Sequence, residues 1–155
     1  MQQVRAPSCR NRSSAAGGIV GTKAMSDPRI VHVDDCPDIR VLVQIALEMV
    51  AGLPLVQFES GDQVVRFADT IEADLFLLDV MMPGLSGPQA FRLLRAMPKF
   101  ASTPAIFLTA KATERELKDL NGPGVLGTIT KPFDALQLGQ QVRKLWEASL
   151  LGRVA

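Results

Sequence analysis

Leu75-Phe76-Leu77-Leu78-Asp79-Val80-Met81-Met82-Pro83-Gly84-Leu85-Ser86-Gly87 is the stretch whose reading decides the fold. Leu75 to Leu78 is apolar at every step, which suits a strand buried on both faces, as in a parallel sheet. The run stops at a carboxylate, Asp79, and Pro83, Gly84 and Gly87 then break the chain into a loop. Asp79 is therefore expected at the carboxyl end of a central strand, the edge at which open α/β sheets bind ligands. Alone, an Asp in that place is ordinarily a turn former or a helix cap, so the rest of the chain has to decide what it is.

Working outward, the same grammar repeats. Ile30 to Val33 is a short β-branched run interrupted by His32 and ending at Asp34-Asp35. Pro37-Asp38 opens a helix, with Pro and an acid in the first turn. Ile39, Leu42, Val43, Ala46, Leu47 and Val50 give that helix one apolar face, and Gly52 ends it. Leu55 to Phe58 reads as a second strand, and Ser60-Gly61-Asp62 starts a helix carrying Val64, Val65 and Phe67. Leu75 to Asp79 is the third strand. Pro88 to Met97 is a helix with Ala90, Phe91, Leu94 and Met97 inward, and Pro104 to Leu108 is a strand ending at Thr109-Ala110. Thr113 to Leu120 is a short polar helix whose Thr-Glu-Arg-Glu start resembles a capping box, stopped by Asn121-Gly122-Pro123-Gly124. Val125 to Thr130 is a fifth strand ending at Lys131-Pro132. Asp134 to Leu150 is the last helix, with Leu138, Val142, Leu145 and Trp146 at helical spacing. Five strands alternating with five helices imply a doubly wound parallel α/β sheet with right-handed crossovers. No repeat and no second domain is visible.

Composition bounds the function. The 155 residues suit one domain, and 47% apolar content is ordinary for a globular fold. The net charge of +1 gives no case for a nucleic-acid or membrane surface, and no apolar run approaches the roughly 18 residues of a membrane span. Cys9 and Cys36 fit no metal spacing and no disulfide framework, so a reducing cytoplasm is expected. Residues 1–28 read as a tail, disordered or foreign to the native protein. Arg5, Arg10, Arg12 and Lys23 lie in its first 25 positions with no acid. A transit peptide or a basic arm stays open there, and Met25 would itself serve as a start. The folded domain is expected over 29–150, with 151–155 a short tail.

Four strands thus end in polar groups: Asp34-Asp35, Asp79, Thr109 and Lys131. Parallel strands put those ends on one edge. Three carboxylates together repel unless a cation intervenes. An all-oxygen acidic cluster suits a hard cation such as Mg²⁺, while Lys131 offers a point charge for an anion and Thr109 a hydroxyl donor. Such a set points to phosphoryl transfer onto an Asp, a known carboxylate nucleophile.

The ordered set Val-Asp-Asp, Leu-Leu-Asp-Val-Met-Met-Pro-Gly-Leu-Ser-Gly-Pro, Leu-Thr-Ala-Lys and Thr-Lys-Pro-Phe resembles the receiver domain of two-component response regulators, from about Arg29 to Leu150. The resemblance implies the flavodoxin-like strand order 2-1-3-4-5. It implies Asp79 as phosphoacceptor. It implies Mg²⁺ (or Mn²⁺) on Asp34, Asp35, Asp79 and the backbone carbonyl of Met81. Thr109, with the adjacent Ala110, and Lys131 would contact the phosphoryl group, and the Lys131–Pro132 bond would be cis. Met81 and Lys111 would tune dephosphorylation: Met81 is apolar and orients no water, and Lys111 covers the site, so a long-lived phosphoform is expected.

One position departs from the family. Receivers usually carry Tyr or Phe three residues before the Lys, where this chain has Thr128 and no Tyr anywhere. Phe107 and Phe133 are nearby but do not match. The function expected is a stand-alone receiver, not an enzyme beyond its own phosphorylation and dephosphorylation. It would take phosphoryl groups from a histidine kinase or histidine phosphotransfer protein. It would signal to a downstream protein through the last two helices and the strand between them, as a monomer or a phosphorylation-dependent dimer. Two alternatives stay open: a relay intermediate passing the group to a second histidine protein, and a Mg²⁺-dependent phosphohydrolase, for which Met81 stands where an acid/base Asp is needed. His32 reads as a core or sheet-edge residue and Trp146 as a core or partner contact.

Overall fold

The computed structural model describes residues 27–110 and 113–152. The tail over 1–26, Cys9, Met25 and Lys111 lie outside them. Five strands, β1 (Ile30–Val33), β2 (Leu55–Phe58), β3 (Leu75–Asp79), β4 (Ala105–Thr109) and β5 (Val125–Thr130), form one parallel sheet in the order β2-β1-β3-β4-β5. Five α-helices connect and flank them: α1 (Pro37–Gln44), α2 (Gly61–Arg66), α3 (Gly87–Arg95), α4 (Glu114–Leu120) and α5 (Leu138–Gly152). Every residue of β3 and β4 is buried, as continuous apolar runs in a two-sided sheet require.

Side chains alternate across the sheet, and two cores result. Val31, Val33, Phe76, Leu78 and Phe107 pack with Val64 of α2, Phe91 and Leu94 of α3 and Leu120 of α4. Ile30, Leu75, Leu77, Ile106 and Leu108 pack with Val43 of α1, Ala46, Leu47, and Leu138 and Val142 of α5. Fully burying a Leu, Ile or Phe side chain is worth about 1.5–3 kcal/mol, so the β3 run alone is a large part of the driving force.

The helices differ from the sequence expectation at their ends. The first continues past Gln44 as a π-helical segment, Ile45–Val50, with the Ala51 amide donating to the Ala46 carbonyl at 3.2 Å. The wider turn rotates Val50 out of the apolar face, leaving it 50% exposed. α2 closes at Arg66, so Phe67 lies outside it, stacked on Phe58 at 6.3 Å. The last helix begins at Leu138 rather than Asp134. The Asp134 carboxylate accepts the Leu136 amide at 2.8 Å and its carbonyl accepts the Gln137 and Leu138 amides, a side-chain turn that competes with helix. α3 starts one residue early, capped reciprocally by Ser86 and Gln89.

Candidate functional site

The sheet register brings the polar strand ends to one edge. Val33 pairs with Leu78, Asp79 with Leu108 and Thr109 with Thr130, so Asp34 follows β1, Asp79 and Thr109 close β3 and β4, and Lys131 follows β5. Lys131 lies between two acids: its ammonium donates to Asp34 Oδ2 at 2.8 Å and pairs with Asp79 Oδ1 at 3.1 Å. Its own amide donates to the Thr109 carbonyl at 2.7 Å, which ties β5 to β4 at the site. The Lys131–Pro132 bond is cis.

Asp34 is wholly buried. Oδ1 accepts the Cys36 amide at 2.9 Å, and its carbonyl accepts Arg40 Nη1 at 2.7 Å, so both the acid and its backbone are fixed by the start of α1. Asp35 is exposed beside it. Asp34, Asp35 and Asp79 each present a carboxylate oxygen, and these oxygens lie within 4.8 Å of one another. Burial raises the Asp79 carboxyl to about 6, and the neighbouring Asp34 charge adds to the rise while Lys131 opposes it. Burial works against the Lys131 ammonium, but its hydrogen bond to Asp34 and the charges of Asp34 and Asp79 outweigh that and hold it above its ordinary value. One ammonium does not offset three carboxylates, and the all-oxygen donors fit a hard divalent cation.

Gly87 lets α3 start against the acid. A Cβ there would run into the Asp79 carbonyl oxygen, and the Gly87 amide donates to Val80 O at 3.1 Å. Thr109 is buried, and Ala110 is exposed beside it. The Met81 side chain is 78% exposed. Val80, Met81, Thr109 and Ala110, with Pro88 of α3 and Glu116, Asp119 and Leu120 of α4, line a cavity of about 500 Å³.

Thr128 is not among the converging groups. It is half-buried within β5, opposite Phe107 of β4. Phe107 is buried edge-on to Phe91 at 5.9 Å, and Phe133 packs against the other core. Neither ring replaces an aromatic at Thr128. Trp146 is half-buried against that same core.

The sequence read His32 as a core or sheet-edge residue but did not place it beside the site. It is fully buried in β1, as a core histidine, but it adjoins the site: Nε2 is 4.0 Å from Asp34 Oδ2. Burial first, then the Lys131 and Arg40 charges, push the ring down to about 3, so it is neutral at physiological pH. Its spacing of two from Asp34 was the available signal, since residues i and i+2 share a sheet face.

Comparison with known proteins agrees with this fold. Residues 30–143 match the response regulator receiver domain family. The chain is 38% identical over 120 residues to the sensor protein GacS of Pseudomonas syringae, covering 76% of this chain and 13% of that protein. It is 35% identical over 118 residues to the DNA-binding dual master transcriptional regulator RpaA of Synechocystis, covering 76% of this chain and 48% of that one. The chain thus spans less than half the length of these relatives. Among solved structures, the response regulator TrrA of Thermotoga maritima, in complex with Mg²⁺-BeF, superposes with a TM-score of 0.64 at 31% identity. That match covers 76% of this chain and 97% of TrrA. With the family matched over most of its length and the strand order and strand-end acids in place, this chain belongs to the response regulator receiver domain family.

Proposed function

We propose that the chain is a phosphoacceptor: Asp79 takes a phosphoryl group from a phosphohistidine of a kinase or phosphotransfer protein. The observation that carries this is Lys131 bridging Asp34 and Asp79 at 2.8 and 3.1 Å within a three-carboxylate cluster. Asp34 and Asp35, with Asp79 and the Met81 carbonyl, would hold Mg²⁺ (or Mn²⁺). The cation, when bound, neutralises charge developing on the phosphoryl oxygens.

The chain's own residues do the rest. Asp79 attacks as the carboxylate, which predominates above about pH 6. A P–O bond to Asp79 forms as the P–N bond to the donor histidine breaks, and the donor ring, protonated on its other nitrogen, leaves as neutral imidazole. Lys131 keeps Oδ1 oriented and stands ready for a phosphoryl oxygen. Thr109 borders both Asp79's strand and the α4 cavity, so its hydroxyl can turn toward the new dianion and draw the β4–α4 connection with it. The added charge of about −2 shifts the population of α4 and β5, and with it affinity for a downstream protein at the α4–β5–α5 face. The chain acts as an acceptor in the cytoplasm rather than as an enzyme on external substrates. Among the described residues no helix is long and apolar enough to cross a membrane.

Intact mass after incubation with acetyl phosphate and Mg²⁺ tests this. One phosphoryl group on wild type, absent in Asp79→Ala and absent with EDTA, is expected; labelling of Asp79→Ala overturns the assignment. Thr128 favours a second reading, a relay intermediate that needs little switching. Rapid transfer from phospho-Asp79 back to a histidine phosphotransfer protein would establish that direction. Multiple turnover of a phosphomonoester would instead mark a hydrolase, for which Met81 supplies no acid/base.

A further inference from the structure

We propose that His32 is a positioning residue for the divalent cation: its Nε2–H is the reserve donor to Asp34 Oδ2, held in that tautomer by Gln57. The inference rests on the acceptor reading for the cation at Asp34, and goes beyond it in assigning the group that keeps Asp34 oriented when the cation is present.

The tautomer follows from a chain of donors. Gln57 Nε2 lies 2.8 Å from the Arg40 carbonyl, which accepts only, so that atom is the amide nitrogen. The same nitrogen lies 3.0 Å from His32 Nδ1. Nδ1 therefore accepts, and in a neutral ring the proton sits on Nε2. Nε2 is buried without a hydrogen-bond partner. An orphaned buried N–H is rare and costly, and it lies 4.0 Å from Asp34 Oδ2, too far for a hydrogen bond.

The missing bond has a reason in the charge balance. Without a cation, Lys131 at 2.8 Å supplies the donor on Asp34 Oδ2 and pulls the carboxylate toward Asp79. A dication among Asp34, Asp35 and Asp79 repels that ammonium and weakens its hold. A small rotation of Asp34 then brings Oδ2 within reach of His32 Nε2–H, which satisfies both buried groups at once. The N–H is paired in one state and orphaned in the other, and this differential contact favours the cation-bound arrangement. Hydrogen-bonded partners of ligating carboxylates typically change metal affinity about 10–100-fold.

The chain has one histidine, so a long-range ¹H–¹⁵N correlation spectrum of tag-free protein reports His32 alone. The Nε2–H tautomer is expected before and after MgCl₂ addition, with Hε2 moving downfield and exchanging more slowly as Mg²⁺ saturates. By calorimetry without a phosphodonor, His32→Leu is expected to weaken Mg²⁺ about 10-fold. His32→Gln, which keeps an N–H near the ring Nε2 position, restores most of the affinity, and Gln57→Leu gives mixed tautomers and an intermediate Kd. Wild-type affinity in His32→Leu, or an Hε2 signal indifferent to Mg²⁺, overturns the proposal while leaving the acceptor reading intact. No saturable Mg²⁺ binding in wild type overturns both. If His32→Leu does not fold, the wild-type Hε2 response and Gln57→Leu decide.

Discussion

Asp34 and Asp79 are held by backbone amide, ammonium and two flanking strands, whereas α4, a few residues away along the same sheet edge, rests on Leu120. The Asp34 carboxylate and carbonyl and Asp79 Oδ1 each have a named partner, β3 and β4 are buried throughout, and Gly87 is pressed against Asp79. Across α4 and β5 the pattern reverses. Leu120 is the buried residue of α4, β5 is mostly half-buried, and a cavity of about 500 Å³ opens between α4 and the β3–α3 loop. A site for chemistry needs rigid geometry. An element that must change place with phosphorylation is drawn from the low-stability end of the molecule. The two regions match the two requirements that the proposed phosphoacceptor reading sets, and share Thr109 as their boundary.

The largest effect tests whether the acidic end depends on its one ammonium. Removing one partner of a buried ion pair costs about 3–5 kcal/mol, because the remaining charge stays buried and unpaired. Lys131→Met is therefore expected to lose about 3 kcal/mol in metal-free buffer, read from urea midpoints. Mg²⁺ should return more stability to the variant than to wild type, since binding to the folded state alone stabilises it. A loss below about 1 kcal/mol would show that the acids do not need Lys131.

Two glycines then compare the regions directly. At Gly87 a Cβ would meet the Asp79 carbonyl; at Gly122, in the turn after α4, it would meet nothing within 4 Å, and no left-handed φ stands in the way. Gly87→Ala is expected to cost about 2–3 kcal/mol by overpacking. Gly122→Ala should fall within about 0.5 kcal/mol of wild type or gain slightly from a stiffer unfolded chain. Equal costs at the two positions would erase the distinction.

Asp79 itself gives a smaller effect with a definite sign. Its folded carboxyl titrates near 6 against an ordinary 3.8, so the folded state holds the proton more tightly than the unfolded chain does. The stability from that proton is complete below about pH 4 and is lost as pH rises through 6. Asn never acquires the charge. In EDTA, Asp79→Asn should therefore exceed wild type by about 2 kcal/mol near pH 8, with the gap closing toward pH 4. A gap that widens on acidification would refute the buried-acid account.

Much of this was legible because strands buried on both faces write themselves as continuous apolar runs. Leu75 to Asp79 and Ala105 to Thr109 need no tertiary knowledge, and parallel pairing puts their polar ends on one edge. Helix ends were harder, since local competition sets them. Asp134 diverts the chain into a side-chain turn and delays α5, and the π-helical turn swings Val50 outward. His32 and Gln57 were illegible as a pair. They are 25 positions apart, and only the β1–β2 register, His32 opposite Gln57, brings the amide to the ring. Thr128 was legible as a departure, but its pairing with Phe107 comes from the register of β4 and β5.

The smallest effect is the sharpest probe of the loose region. Thr113 caps α4: its hydroxyl oxygen accepts the Glu116 amide at 3.3 Å, while Glu116 Oε2 accepts the Thr113 amide at 3.0 Å and hydroxyl at 2.9 Å. The Thr113 amide and hydroxyl both hold the Glu116 carboxyl below its ordinary value. Losing an N-cap costs roughly 1 kcal/mol, about a fivefold change in an opening equilibrium. If α4 opens without the rest of the fold, Thr113→Ala should speed amide exchange about fivefold at Leu117 to Leu120 and leave β3 amides and the urea midpoint almost unchanged. If α4 instead opens only with the global transition, the same substitution must lower the midpoint and speed β3 and α4 exchange together. The first pattern makes α4 a separately movable piece beside a fixed acidic site; the second joins it to the core and requires the response proposed for phosphorylation to run through another surface.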